Sequence, residues 1–218
     1  SQGLEQYDGT TCRRVGNTKQ ADFPVAGSNI TDESLVALND STFWLLADDK
    51  LYAFNPRTFA YRDISATTGI NGTFCTLRRG ADGKIWTVVD DNRQQYLLCW
   101  DTAGRLHRVA TSEHRRKAFT AIAPDTAGNV WWSTIADGLR QYSADGALLH
   151  AGKPDSFVWY DTKMYFTPLY ADSRGRVFVF PKSVNQIWEY HPAERRYTVL
   201  ADHLPELAYY AREDSRGN

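Results

Sequence analysis

Apolar and polar residues alternate along this chain in short stretches that recur at a long interval. An aromatic marks each copy, at Trp44, Trp86, Trp131 and Phe178, so successive copies lie 42, 45 and 47 residues apart. Leu35, Leu77, Ile122 and Leu169 each stand nine residues before one of these aromatics. Phe74, Phe119 and Phe166 stand twelve before the last three. Period-2 alternation around those positions predicts a buried first strand over 34–38, 74–79, 119–123 and 165–171. A turn phrase follows in three copies, GADGKIW, DTAGNVW and DSRGRVF, with Gly83, Gly128 and Gly175 three residues before the aromatic. Glycine there supplies the positive φ of a tight hairpin at little steric cost. The second strand carries the aromatic itself. A third strand ends in an aromatic and a turn at 52–56, 99–101, 141–143 and 189–192. A more polar fourth strand over 60–64, 105–109, 147–150 and 196–200 closes each copy. A polar outer strand faces water and resists edge-to-edge pairing.

Repeats of roughly 40–50 residues made of four short antiparallel strands define an all-β fold, the β-propeller. Each such unit buries its faces only against its neighbours. About five blade units are expected, four complete (29–66, 67–112, 113–154 and 155–202) and two partial (1–28 and 203–218). Gly3–Asp8 matches Gly138–Ser143 in phase, so the chain opens at a third strand. Glu213–Asn218 matches the turn phrase that starts at Asp172. The expectation is therefore one propeller segment, 1–218, of a larger propeller, with a self-contained five-bladed ring as the alternative.

Composition narrows the partners. Lys and Arg number 25 against 26 Asp and Glu, a net charge of −1 that offers no basic field for phosphates, so nucleic acid is not expected. No apolar run approaches the ~20 residues of a membrane-spanning helix, and no leader pattern opens the chain. Membrane attachment is expected only through segments outside it. Cys12, Cys75 and Cys99 show no Cys-x-x-Cys spacing, and each is expected to fill a small apolar strand position.

The third unit resembles the two-component regulator propeller repeat. That family's phrase runs Asp-x-x-Gly-x-hydrophobic-Trp-x-x-Thr, then Gly-Leu and an aromatic with a turn. Asp125, Gly128, Asn129, Trp131, Thr134, Gly138, Leu139 and Tyr142 match it. Gly3-Leu4 with Tyr7-Asp8, and Asp214–Asn218, match its two halves. Other units depart: Trp44 lacks the Asp and Gly, the turn before Trp86 is rearranged, and Phe178 replaces Trp with no Thr following. The resemblance implies the extracytoplasmic sensor region of a hybrid histidine kinase of the Bacteroidetes type. On that reading the chain lies on the periplasmic or extracellular side of an inner-membrane protein. It recognises an oligosaccharide or other small polar ligand, signals to a kinase in domains absent here, and works as a homodimer in the intact receptor. The worn repeats also resemble the lyases that inactivate streptogramin antibiotics. The alternatives are therefore a propeller lyase or glycosidase, or a structural or dimerising propeller without a ligand.

The remaining residues offer little chemistry. His107, His114, His150, His191 and His203 are scattered without ligand spacing, so no metal and no cofactor are expected. Asp48-Asp49 and Asp90-Asp91 read as hairpin turns. Glycoside hydrolysis needs a carboxylate pair, and the inner strands offer Glu33, Asp172, Glu213 and Asp214. Asp172 and Asp214 are turn residues, each expected to cap its own turn, so no catalytic residue is assigned and this segment is not expected to be an enzyme. Trp44, Trp86, Trp100 and Trp131 are expected to pack blade against blade. The connection over 151–165 is the best place for a ligand, because ring faces there can stack on a sugar. It holds Trp159, Tyr160 and Tyr165 beside Asp161 and Lys163. The turns between second and third strands add Asp91, Arg93, Lys182 and Asn185 on the same face. The alternative is that 157–160 simply extends a strand.

Overall fold

The computed structural model describes residues 4–7, 10–15, 34–58, 60–113, 120–134, 136–152, 169–180, 185–204, 211 and 213. The first two strands, β1 (Leu4–Tyr7) and β2 (Cys12–Val15), pair as an antiparallel hairpin. Four antiparallel four-stranded sheets follow, each with its strands in chain order from one edge to the other. The first holds β3 (Leu35–Asn39), β4 (Thr42–Ala47), β5 (Lys50–Phe54) and β6 (Tyr61–Asp63). The second holds β7 (Thr73–Arg79), β8 (Ile85–Asp90), β9 (Gln94–Trp100) and β10 (Leu106–Glu113). The third holds β11 (Thr120–Pro124), β12 (Val130–Thr134), β13 (Gly138–Tyr142) and β14 (Leu148–Gly152). The fourth holds β15 (Leu169–Ala171), β16 (Val177–Val179), β17 (Ile187–His191) and β18 (Arg196–Ala201). Among the described residues there is no α-helix, and a 3₁₀ turn at Ser65–Thr68 links the first sheet to the second.

Strand sequence explains which edge faces inward. The first strands touch across sheets, β3 beside β7, β7 beside β11 and β11 beside β15, so they form the innermost layer. Fourth strands are largely exposed, β14 and β18 included. This is the arrangement of a β-propeller, the fold that the repeat predicts.

Middle strands are buried on both faces because alternate residues serve different neighbours. All six residues of β8 are buried. Ile85 and Val89 pack with Val36 and Leu51 of the first sheet and with Ile64 just after it. Trp86 and Val88 pack instead with Ile122, Val130, Trp132 and Tyr142 of the third. Trp131 then joins Leu169, Val177, Trp188 and Tyr190 of the fourth. A fully buried Leu or Val in such a cluster contributes about 1.5–3 kcal/mol. The recurring aromatics are packing residues as expected: Trp86 is 0% and Trp131 3% exposed. Trp44 meets Trp100 edge-on with ring centroids 4.7 Å apart, joining the first two sheets.

One expected core position differs. Leu77, Ile122 and Leu169 are buried, but Leu35 is 36% exposed and its neighbour Val36 is buried instead. Leu35 keeps the phase of the others, paired one residue past the rung aromatic. Leu77, Ile122 and Leu169 pack with residues of the preceding four-stranded sheet, and among the described residues no such sheet precedes that of Leu35. The free thiols of Cys75 and Cys99 fill strand positions, and burial pushes each up to about 12.

Candidate functional site

The turn phrase positions the inner end of each sheet. Asp125 Oδ1 accepts the backbone N–H groups of Ala127 and Asn129, both at 2.9 Å, and the Gly128 N–H returns to the Asp125 carbonyl at 3.2 Å. Gly128 takes φ +81°, so the loop is a three-residue hairpin with its last residue left-handed. Gln141 of β13 donates to the other Asp125 oxygen at 2.7 Å. Asp172 repeats the device: Oδ1 accepts from the N–H of Arg174 and of Arg176, at 3.0 and 2.8 Å. The Arg176 Nε donates to its Oδ2 at 2.6 Å. Burial works to raise the Asp172 carboxyl, yet the Arg176 and Arg174 backbone donors and the Arg176 guanidinium hold it below the usual carboxylate range. Asp172 thus caps its own turn, as the sequence predicts; Asp214 and Glu33 lie outside the described residues.

These inner ends surround a cavity of about 380 Å³. Arg78 and Arg79 close β7 on one side of it. Ala123, Pro124 and Thr126 come from β11 and its turn, and Tyr170, Ala171 and Ser173 from β15 and its turn. Ala211 and Glu213 supply a further wall. Arg79 Nη1 donates to the Ala37 carbonyl at 2.5 Å, which ties the second sheet to the first. Glu213 accepts the Ser173 N–H at 2.8 Å and the Ser173 hydroxyl at 2.5 Å. Burial first, and then the charge of Glu213, raise the Tyr170 phenol above its ordinary value. The Tyr170 ring stacks on Phe178, centroids 6.3 Å apart, and Arg176 caps the other aromatic at 5.1 Å.

At the opposite end of β8 lie two of the residues expected to bind a ligand. Asp91 is committed to its hairpin: Oδ1 accepts the N–H of Arg93 and Gln94, and Oδ2 accepts the Tyr96 hydroxyl at 2.8 Å. The Gln94 N–H leads the donors that hold its carboxyl low. Arg93 is exposed beside it. Asn185 is also exposed, and its carbonyl accepts the Leu204 N–H at 2.8 Å. Trp159, Tyr160, Asp161, Lys163, Tyr165 and Lys182 lie outside the described residues. Asp48 and Asp49, at φ +48° and +63°, form the two-residue loop between β4 and β5 as predicted, whereas in the second pair Asp91 belongs to the turn and Asp90 ends β8. Among the described residues no group of three His, Cys, Asp or Glu side chains is placed to hold a metal ion. No described helix is long and apolar enough to cross a membrane.

Arg78, Arg79 and Tyr170 were not singled out by sequence reasoning. Their signal is a departure from the repeat. The residue paired with the rung aromatic is Val36, Ala123 or Tyr170 in three sheets and Arg78 in the second.

Fold comparison places the chain among propeller-type proteins. It aligns with virginiamycin B lyase from Staphylococcus aureus at 11% identity and a TM-score of 0.54, over 78% of this chain and 57% of that one. The extracellular domain of a protein described as a hybrid two-component system from B. thetaiotaomicron matches at 16% identity and TM-score 0.56, over 94% of this chain and 31% of that one. A protein of unknown function from Bacteroides caccae matches at 15% identity and TM-score 0.53, over 80% and 60%. The chain therefore spans between about a third and three fifths of these neighbours. No protein-family model matches the sequence, and no curated protein does.

Proposed function

We propose that this chain is the propeller portion of the sensor domain of a two-component regulator, held on the periplasmic side of an inner-membrane protein. It recognises a carbohydrate-type ligand and passes that event to a kinase in other domains, as a homodimer. The observation that carries this reading is the third sheet. The phrase Asp125–Trp131 with Gly138-Leu139 and Tyr142 folds there as one complete blade, in a chain whose fold extends over 94% of its length onto an extracellular two-component domain. Ligand contact falls to the rim, where Trp159, Tyr160 and Tyr165 stack on the sugar while Asp161, Lys163, Arg93, Lys182 and Asn185 bond its hydroxyls, with Asp91 shaping the turn.

The likeness to a lyase motivates an enzymatic alternative, which needs an acid and a base near the axis. Against it, the carboxylates of Asp125 and Asp172 are taken up by their own hairpins. Isothermal titration of the full chain with plant and host oligosaccharides tests the sensor reading. Binding of at least one neutral oligosaccharide is expected, and lost in Trp159→Ala. Silence toward the whole panel, or heats unchanged by that substitution, would overturn it.

A further inference from the structure

The first strand of each sheet is an edge, and its ladder shows which way its backbone points. Each turn phrase closes on one hydrogen bond. The N–H groups of Gly80, Asp125 and Asp172 donate to the carbonyls of Lys84, Asn129 and Arg176, at 2.8, 2.9 and 3.0 Å. An antiparallel ladder alternates between pairs that exchange hydrogen bonds and pairs that do not. The next pairs, Arg79 with Ile85, Pro124 with Val130 and Ala171 with Val177, are therefore of the second kind. Two residues earlier, Ile122 with Trp132 and Leu169 with Val179 repeat it. The backbone N–H and C=O groups of these residues turn away from the second strand. Pro124 fits this, because proline within a sheet is confined to such edge positions. No ladder joins one first strand to another. Arg79, Ile122, Pro124, Leu169 and Ala171 all line the cavity of about 380 Å³, so these groups open into it. Ile122 is 1% and Leu169 4% exposed, and backbone groups that deep need a partner.

We propose that this cavity binds a neutral, polyhydroxylated molecule of about monosaccharide size, held by the backbone edges of the first strands. The site lies at the end of β8 opposite the rim and does not rest on the sensor reading. Its volume falls within the roughly 300–1,000 Å³ of small-molecule sites. Charge decides for a neutral ligand, because every charged residue of the wall is engaged elsewhere. Arg79 commits Nη1 to the Ala37 carbonyl at 2.5 Å, and its Nη2 lies toward Gly83 of its own hairpin. Arg78 is likewise engaged. Asp125 accepts from its hairpin and from Gln141, and Glu213 from the Ser173 N–H and hydroxyl. The two guanidinium groups and the two carboxylates also cancel, so a charge brought in would go unmatched. A hydroxyl both donates and accepts, and a polyol therefore answers N–H and C=O groups alike. The small side chains of Ala123, Pro124 and Ala171 leave room for it and offer an apolar surface to its C–H groups.

Amide NMR of the full chain, titrated with myo-inositol and with glucose, tests the assignment at the groups themselves. The N–H signals of Arg79, Ile122, Leu169 and Ala171 should move and saturate together, while that of Arg93 at the rim stays still. In titration calorimetry the neutral polyol should bind at least about tenfold more tightly than anionic gluconate or cationic glucosamine. Ala171→Leu, which fills the cavity, should abolish binding while near-ultraviolet circular dichroism stays that of the parent. Ala211→Leu fills it from another wall and should do the same, which keeps the test open if the first variant unfolds. Unmoved amide signals and absent heats for both polyols would leave the cavity to water and overturn the site. So would filled variants that bind like the parent. Gluconate or glucosamine binding as tightly as inositol would overturn the ligand class. Trp159→Ala should leave inositol binding intact, and Ala171→Leu should leave oligosaccharide binding at the rim intact, so the two proposals fail separately.

Discussion

Replacing Asp125 by Ala removes one side chain that fastens a hairpin to a neighbouring strand. The carboxylate is 7% exposed and accepts three hydrogen bonds, two from backbone N–H groups of its own loop and one from Gln141 of β13. Ala127 is exposed, so water can replace the carboxylate at its N–H. Asn129 and Gln141 are half-buried and regain less. Summing modest net hydrogen bonds with one poorly rehydrated donor gives a loss of about 2–3 kcal/mol. In a chain of this size that lowers the melting temperature by about 4–12 °C. Asp125→Asn separates the terms. Its Oδ1 still accepts both backbone N–H groups, while its new amide faces the Gln141 amide. A flip of Gln141 restores an acceptor there, so the loss should be only about 1 kcal/mol. Thermal unfolding followed by far-ultraviolet circular dichroism measures both. Equal losses for the two variants, or no loss for Ala, would refute the view that this carboxylate holds the turn.

Two further outcomes follow from buried titratable groups. His150 sits between the third and fourth sheets, its Nε2 2.7 Å from the Tyr190 hydroxyl and its ring 5.6 Å from Trp131. Burial, and secondarily the charge of Arg195, depress its pKa below 6.5. The unfolded chain therefore takes up the proton first, and stability should be full above pH 6.5 and fall as the pH drops below it. His150→Gln should flatten that acid slope in melting experiments; an identical slope would count against it. Cys75 and Cys99, with thiols pushed up to about 12, should resist iodoacetamide in the native protein at mildly alkaline pH. Both should label rapidly after denaturation, as peptide mass spectrometry would show, and prompt native labelling would contradict their burial.

Much of the fold was legible because its signals are local. An aromatic after Asp-x-x-Gly needs only a few residues to declare a hairpin, and Asp125, Gly128 and Trp131 behave as that phrase demands. Leu35 keeps the phase of the pattern but is exposed, since its strand opens the first of the four-stranded sheets and burial there depends on what stands before it. The cavity was less visible. Its walls come from Arg79, Pro124, Ala171 and Glu213, each roughly one repeat from the next. No spacing within a single unit announces them. Only comparison of units at the same phase exposes the two arginines, and reading the strands for burial alone passes over long polar side chains at a strand end.

Trp131 and Trp132 are consecutive residues with opposite allegiances, one facing the fourth sheet and the other the second. Each joint between sheets consequently has its own residues. A substitution that loosens one joint leaves the adjoining one intact, since positions without shared partners act additively. Such a chain can soften a chosen seam and let one sheet swing relative to the next without unravelling the rest.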